Sequence, residues 1–411
     1  MRKLKLQLLK LKISTKIFWI VVTVFIISVC REPLFFLHPR IWAEEGVIHI
    51  NSVLTNGLWG SLISPHLGYY SLFNNYVTSI GMKFFGLLGI AYVTTWMSFL
   101  VILLTVLSPL VLKSKFWDSD AKKITLILFL LIGGSAEIWL NTVNSQFYFC
   151  LFTALVFLSE PIEFNGWKWI YILFMMVNAV MTGITSAALA PFFIYKYLKS
   201  STKSSKENFL VALLIFGACV QIYSLIYLKI SSDISRFDIS NIVNFPNGFY
   251  RNIVGILIFP GWVIHAILVL LIPIFLLNKE VRAVENSLPL IIAIYLSALF
   301  AFLSLGMHGG RRYSYPSSGL TFIFLLNLLS LKKVNTFTHL STYIFLLIIL
   351  YGAALRYFET KDVYDPEWKK FTLSNISELP ENKLMLEVFP QWPNTNWAII
   401  FSKEDLDKFK K

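Results

Sequence analysis

Apolar runs of roughly 15–25 residues recur along this chain, separated by short polar and basic connections. They fall at 17–37, 88–112, 124–136, 147–159, 168–183, 185–198, 208–228, 253–277, 288–306, 317–331 and 338–355. Runs of this length suit helices crossing a bilayer, whereas a transmembrane barrel would show roughly ten-residue alternating segments. The pattern predicts an all-α, polytopic helical membrane protein of about eleven transmembrane helices. The third to sixth runs are short and read equally as tilted or re-entrant segments. Residues 1–355 form the transmembrane domain in this reading, and 356–411 a small extracytoplasmic C-terminal segment. That segment is too short to build a large core alone and is expected to pack on the membrane domain.

Composition agrees. Hydrophobic residues make up 56% of the chain and charged residues 14%, against about 25% charged in soluble domains. The net charge of +13 needs no nucleic-acid partner, because Lys and Arg collect on alternate connections as the positive-inside rule requires. That distribution places the N-terminus in the cytoplasm and, with an odd number of spans, the C-terminal segment outside. Basic residues from Arg2 to Lys16 precede the first apolar core, and no small-x-small cleavage site follows it. It therefore reads as an uncleaved first helix. Cys30, Cys150 and Cys219 lie in or beside apolar runs and read as packing residues. There is no nucleotide-binding loop, and no repeat clear enough to argue an inverted-repeat transporter.

Three outer segments carry candidate chemistry. The first is the loop from Arg31 to about Gly86, which contains Arg40-Ile-Trp-Ala-Glu-Glu-Gly46. Ionised groups at a bilayer edge are costly and tend to be kept for function. Residues 44–57 predict a short helix opening with acids and stopped by Gly57. Val47, Ile50, Val53 and Leu54 would form an apolar face resting along the membrane surface. Neighbouring helical residues point about 100° apart, so Glu44 and Glu45 cannot face one point. Arg40 with Glu44, and Glu45 with His49, are spaced to pair. In the same loop Ser64-Pro-His-Leu-Gly-Tyr-Tyr70 gathers His66, Tyr69 and Tyr70, a set suited to hydroxyl-rich ligands. Helix-capping acids and an interfacial aromatic belt are the plainer readings of these residues.

The second segment is His308-Gly-Gly-Arg-Arg-Tyr313. Arg311 and Arg312 are candidates to bind a phosphate bidentately, with Tyr313 beside them; anchorage to lipid headgroups is the alternative. The third is the C-terminal segment itself. Between them, the turn 137–148 offers Asn141, Asn144 and Gln146 for sugar recognition, or simply as helix-end amides, and Glu137 as a rival carboxylate.

The pattern Arg-x-Trp-x-Glu-Glu-Gly, then Gly57, then Pro65-His-Leu-Gly-Tyr69 resembles bacterial members of the GT-C superfamily of membrane glycosyltransferases, of the serotype-converting O-antigen glucosyltransferase type. The resemblance covers the topology and about a hundred residues of loop. It implies a polyprenyl-phosphate sugar donor, a polysaccharide acceptor, work on the outer face of a bacterial plasma membrane, and a donor synthase and a flippase as companions. It implies that the first acid of the pair, Glu44, is the base and Glu45 its support. Many relatives have Asp in this pair where the chain has two Glu. By the same reading Arg311 and Arg312 hold the donor phosphate, and Arg40, His66, Tyr69, Tyr70, Asn144 and Gln146 contact substrate. No cofactor and no metal are expected, because arginine neutralises a monophosphate and only the Glu pair offers oxygen ligands. A lipid-linked saccharide flippase and an O-antigen-type polymerase are the alternatives.

Overall fold

The apolar runs fold into helices, and a buried polar turn joins them where the sequence is least regular. The computed structural model describes residues 2–66, 68–160, 165–200, 203–231, 275–283, 287–305, 311–329, 331, 336–358, 376–380, 383–388 and 398–405. The described residues are mostly helical (80%). Its helices are α1 (Arg2–Arg31), α2 (Pro33–Leu37), α3 (Asn51–Ile63), α4 (Leu72–Val111), α5 (Asp120–Ile132), α6 (Ser145–Leu158) and α7 (Trp167–Met181). They continue as α8 (Ile184–Ala187), α9 (Ala190–Lys199), α10 (Ser205–Ser231), α11 (Lys279–Ala283), α12 (Ser287–Leu305), α13 (Ser314–Leu328) and α14 (Thr336–Phe358). A π-helix, Glu45–Ile50, runs directly into α3.

Every expected span except the eighth coincides with a helix, and most of the eighth, 253–277, lies outside the described residues. Three 23-residue stretches, Gly89–Val111, Ser205–Tyr227 and Thr336–Phe358, are long and apolar enough to cross a membrane. In the second, only 28% of the most apolar window is buried. Its apolar side chains therefore face outward, where lipid would cover them. The centre of the bundle is made by α6 and α13, in which every residue is buried. Helices that are apolar or small on all sides need neighbours all round. Phe129 of α5 stacks on Phe322 of α13 with ring centroids 4.2 Å apart.

Two boundaries differ from the sequence reading. The first span ends at Arg31, and 33–37 form the separate helix α2 after a break at Glu32. The run 185–198 divides into α8 and α9. Gly57 does not stop its helix outright. It adopts φ 69°, ψ 177° and breaks α3, which resumes to Ile63. Gly86 does the same in α4 with φ 66°, so α4 is a first segment, 72–85, followed by a helix long and apolar enough to cross a membrane. Both conformations are ones that glycine adopts without steric cost.

The expectation of an all-α protein is corrected in the C-terminal segment. There β1 (Ile376–Leu379), β2 (Lys383–Glu387) and β3 (Ala398–Ser402) form an antiparallel sheet in that order. Leu384 pairs with Phe401 and Leu386 with Ile399. These four side chains, with Val388, point to one face and are buried, the period-two pattern of a one-sided sheet. They join Ile41, Ile50, Val53, Met82, Leu87 and Ile90 in one cluster, with Val47 and Leu54 packed against it. The apolar face of the outer helix is therefore covered by this sheet instead of resting on the membrane. Burial against a second apolar face removes both from water at once.

Gly46 lies at the closest point of this contact. A Cβ there would stand 2.7 Å from Val388 Cγ1 and 3.2 Å from Ile41 Cγ2. Gly46→Ala is expected to lower the thermal midpoint of the purified protein, by an overpacking cost of about 1–3 kcal/mol that exceeds the gain in helix propensity. Val388→Ala in the same chain should restore most of the loss. A second substitution that adds to the loss would show that the sheet does not set this fit.

Candidate active site on the outer loops

The acidic pair separates into two environments. Glu45 is 1% exposed. Its Oε1 accepts from the Thr142 amide at 2.5 Å and the Thr142 hydroxyl at 2.6 Å, and its Oε2 accepts from the Trp42 amide at 3.0 Å. Burial raises its pKa to about 7 against these three donors, and the neighbouring Glu44 charge pushes the same way. Thr142 reaches it from the turn between α5 and α6. There Leu140 is buried in a left-handed conformation, φ 54°, uncommon for a bulky side chain.

Glu44 instead faces Arg312. Its Oε1 lies 3.7 Å from Arg312 Nη1, and the two side chains remain 17% and 23% exposed. Among the described residues Glu44 accepts no side-chain or backbone hydrogen bond, so its lone pairs are open to a ligand. Arg312 begins from the 3₁₀ turn Arg311–Tyr313 that leads into α13. Burial opposes its charge, but Tyr313, Glu44, Glu137 and Tyr69 together raise its pKa. Its guanidinium lies over the Tyr313 ring at 5.1 Å, and Tyr313 meets Phe147 edge-on. Glu137 Oε2 is buried with no hydrogen-bond partner among the described residues.

A second polar group lies in the first loop. His49 Nδ1 and Asn75 Oδ1 are 3.0 Å apart, and His49 Nε2 and Asn74 Nδ2 3.3 Å apart. An acceptor on one side and a donor on the other assign a neutral imidazole with the proton on Nδ1. Burial first, and His66 second, lower the His49 pKa to about 3. The His66 ring meets His49 edge-on at 5.3 Å. Burial lowers the His66 pKa as well, and its Nε2 is buried without a hydrogen-bond partner among the described residues. His66 and Tyr69 exchange backbone hydrogen bonds of 2.9 and 3.0 Å, and Tyr69 acts on Arg312. Tyr69, three residues after His66 in this turn, is within electrostatic range of Arg312.

The other candidates are placed as follows. Arg40 is half-buried at the start of the segment. Tyr70 donates its hydroxyl to Leu62 O at 2.8 Å, and its backbone pairs with the Gln221 amide. It fastens the loop to α10. Asn144 and Asn141 both donate to Glu137 O, at 2.9 and 2.6 Å, and so hold the Glu137 turn. Gln146 donates to Val143 O at 3.3 Å and packs against Gly183. The Arg311 side chain and His308 lie outside the described residues. The spacing of His49 from Glu45 is not used: His49 turns to Asn74 and Asn75, and Glu45 to Thr142. Those three partners carry no local signal. Thr142 is 97 residues from Glu45, so only the fold brings it there. Among the described residues no three His, Cys, Asp or Glu side chains are grouped to hold a metal ion.

No protein-family model, curated protein or solved structure matches this chain.

The raised pKa of Glu45 gives a signed expectation. Its carboxyl binds a proton more tightly when folded than when unfolded. Its contribution to stability is therefore present below about pH 4.5 and is lost as pH rises toward about 7. Glu45→Gln, which keeps an acceptor for Thr142, should flatten this fall in the thermal midpoint. An identical pH slope in both proteins would show that Glu45 is not its source.

Proposed function

We propose that the chain is a membrane glycosyltransferase of the GT-C type. It moves a sugar from a polyprenyl-phosphate carrier to a polysaccharide or lipid-linked glycan at the outer face of a bacterial plasma membrane. The observation that carries the reading is the 3.7 Å pairing of Glu44 with Arg312 across segments from opposite ends of the chain.

The pair combines the two charges that such a transfer requires. A base must take the proton of the acceptor hydroxyl, and a cation must stabilise the departing phosphate. In the proposed step the acceptor oxygen forms a bond to the anomeric carbon while the bond from that carbon to the phosphate oxygen breaks. The hydroxyl proton passes to Glu44. The bonding electrons leave with the polyprenyl phosphate, whose negative charge Arg312 meets. Attack opposite the leaving group inverts the anomeric centre, the single-displacement logic of inverting glycosidases. Glu45 keeps the loop in place. Tyr69, within electrostatic range of Arg312, and His66 in the same turn, with a free ring nitrogen, suit sugar hydroxyls. Tyr70, Asn144 and Gln146 act through the backbone they hold.

Topology supports the same reading. The C-terminal sheet and the π-helix share one apolar cluster, and segments in contact stand on one side of a bilayer. An even number of crossings then separates them. With the first helix taken as a span, the total is odd, which is compatible with the eleven spans of this reading.

Glu44→Gln is expected to lower transfer by about 10²–10⁴-fold while the protein inserts and still binds the lipid donor. Arg312→Lys keeps the charge but loses the planar fork, and should weaken donor binding more than it lowers the thermal midpoint. The measurement is transfer of radiolabelled sugar from a polyprenyl-phosphate donor by the purified protein. Wild-type turnover from Glu44→Gln would remove the base assignment and leave a non-catalytic envelope role.

A further inference from the structure

The opposite end of the bundle carries a second built feature. The Tyr70 and Thr182 backbones meet at the site face, where Gly183 N donates to Tyr70 O and Phe73 N to Thr182 Oγ1. The start of α7, Trp167, is therefore at the other face, about 20 Å away at 1.5 Å per residue. Gln221 of α10 touches Tyr70, so the start of α10 at Ser205 is also at that far face. At the ends of α6, α9 and α10 lies a shallow, water-sized cleft. Val156, Phe193, Leu210 and Val211 make its apolar wall, and Lys196 and Tyr197 are the polar groups beside it. Its one carboxylate, Glu207, is bound into the capping box of α10, where Glu207 Oε2 accepts from the Ser204 amide and hydroxyl and Glu207 N donates to Ser204 Oγ.

Cations gather around this cleft, each against an aromatic face. Lys199 Nζ is 4.7 Å from the Tyr195 ring centroid, and Lys203 Nζ is 4.7 Å from that of Tyr197. Lys203 is thus held at the tyrosine that lines the cleft. Lys206 reaches Asn165 Oδ1 at 2.7 Å and stands 6.0 Å from the Trp169 ring. Lys196 donates to the Phe157 and Ser159 carbonyls at the C-terminal end of α6, so it is fixed, while Lys199 and Lys203 are exposed. Trp167, Leu198 and Phe209 nearby present large apolar surfaces outward.

We propose that this corner of the bundle binds an anionic phospholipid of the leaflet opposite the Glu44 site, with phosphate beside Lys199 and Lys203 and acyl chains over the outward-facing Trp167, Leu198 and Phe209. A soluble anion would have no use for these outward apolar side chains, and a neutral lipid none for the lysines. Clustered lysines next to a span attract anionic headgroups, and rings at headgroup depth give the lysine stems a surface. The site does not depend on the reaction at Glu44.

The test compares nanodiscs of phosphatidylglycerol with nanodiscs of phosphatidylcholine. Phosphatidylglycerol that stays bound after detergent extraction is counted by native mass spectrometry, and the thermal midpoint is read beside it. Wild type is expected to retain phosphatidylglycerol and to melt higher in its presence. Lys199→Gln with Lys203→Gln should weaken retention about thirtyfold. Lys122→Gln with Lys123→Gln removes the same charge at the start of α5 and should retain the lipid as wild type does. Equal loss from both pairs, or no loss from the first, would replace a site with a diffuse surface charge and overturn the proposal. Full competition by inorganic phosphate in detergent would also overturn it, by identifying a soluble anion as the occupant.

Discussion

The hydrogen bonds that Thr142 donates to Glu45 join the first outer loop to the turn between α5 and α6. The geometry of the Glu44–Arg312 face depends on them. They are made inside the protein, where an unpaired amide costs about 1–3 kcal/mol. Removing the carboxylate would leave the Thr142 and Trp42 amides without their acceptor. That cost explains how Leu140 is held in a left-handed conformation two residues earlier, since a strained backbone persists only where its surroundings over-determine it. With Glu45 fixed inward, the neighbouring Glu44 is turned away from it and toward Arg312.

A second buried charge secures the platform below. Arg31, the last residue of α1, donates to Gly134 O at 2.5 Å, to Leu131 O at 3.5 Å and to Arg356 O at 3.4 Å. Its guanidinium lies over Trp139 at 4.5 Å. The carbonyls of Leu131 and Gly134 are at the C-terminal end of α5, where the helix dipole favours a cation. One side chain thereby joins α1, α5 and α14 immediately beside the turn that delivers Thr142 and Glu137. Tyr357 adds a link from α14 to α1 through Ile27 O. A guanidinium can serve this many carbonyls because it carries five donors in a fixed plane.

The helices were legible because their signal is local. A run of apolar residues demands burial or lipid wherever it falls, and the lengths follow from the runs. The sheet was not legible. Its strands are four or five residues long, and one-sided alternation over so short a span is weak until the partner surface is known. That surface is Val47, Ile50, Val53 and Leu54, which alone look like a membrane-facing stripe. The site divides in the same way. Glu44, Arg312, Tyr69 and His66 stood out as polar groups at apolar ends. Thr142, Asn74 and Asn75 did not, because their importance lies in what they touch across long sequence separations. Asn144 and Gln146 were visible as amides beside aromatics, and the fold uses them to hold the Glu137 and Gly183 turns.

Several departures from regular backbone cluster around one place. The π-helix begins at Glu45, Gly46 lies close against Val388, Leu140 is left-handed, and Glu137 keeps a buried oxygen unpaired among the described residues. The left-handed leucine and the unpaired carboxylate oxygen each conflict with a local rule, and such conflicts are expected at functional positions. A π-turn shifts the side chains that follow it relative to an α-helix, which lets His49 turn to Asn74 and Asn75 while Glu45 keeps Thr142. Adjacent helical residues point about 100° apart, so the two acids serve different ends. One is sealed in a cage of donors and cannot reach a ligand, and the other is held by a single cation at 3.7 Å. That distance is long enough for a phosphate oxygen to compete for the guanidinium. The sealed carboxylate supplies rigidity, and the loosely paired one is left with the freedom that the proposed proton transfer requires.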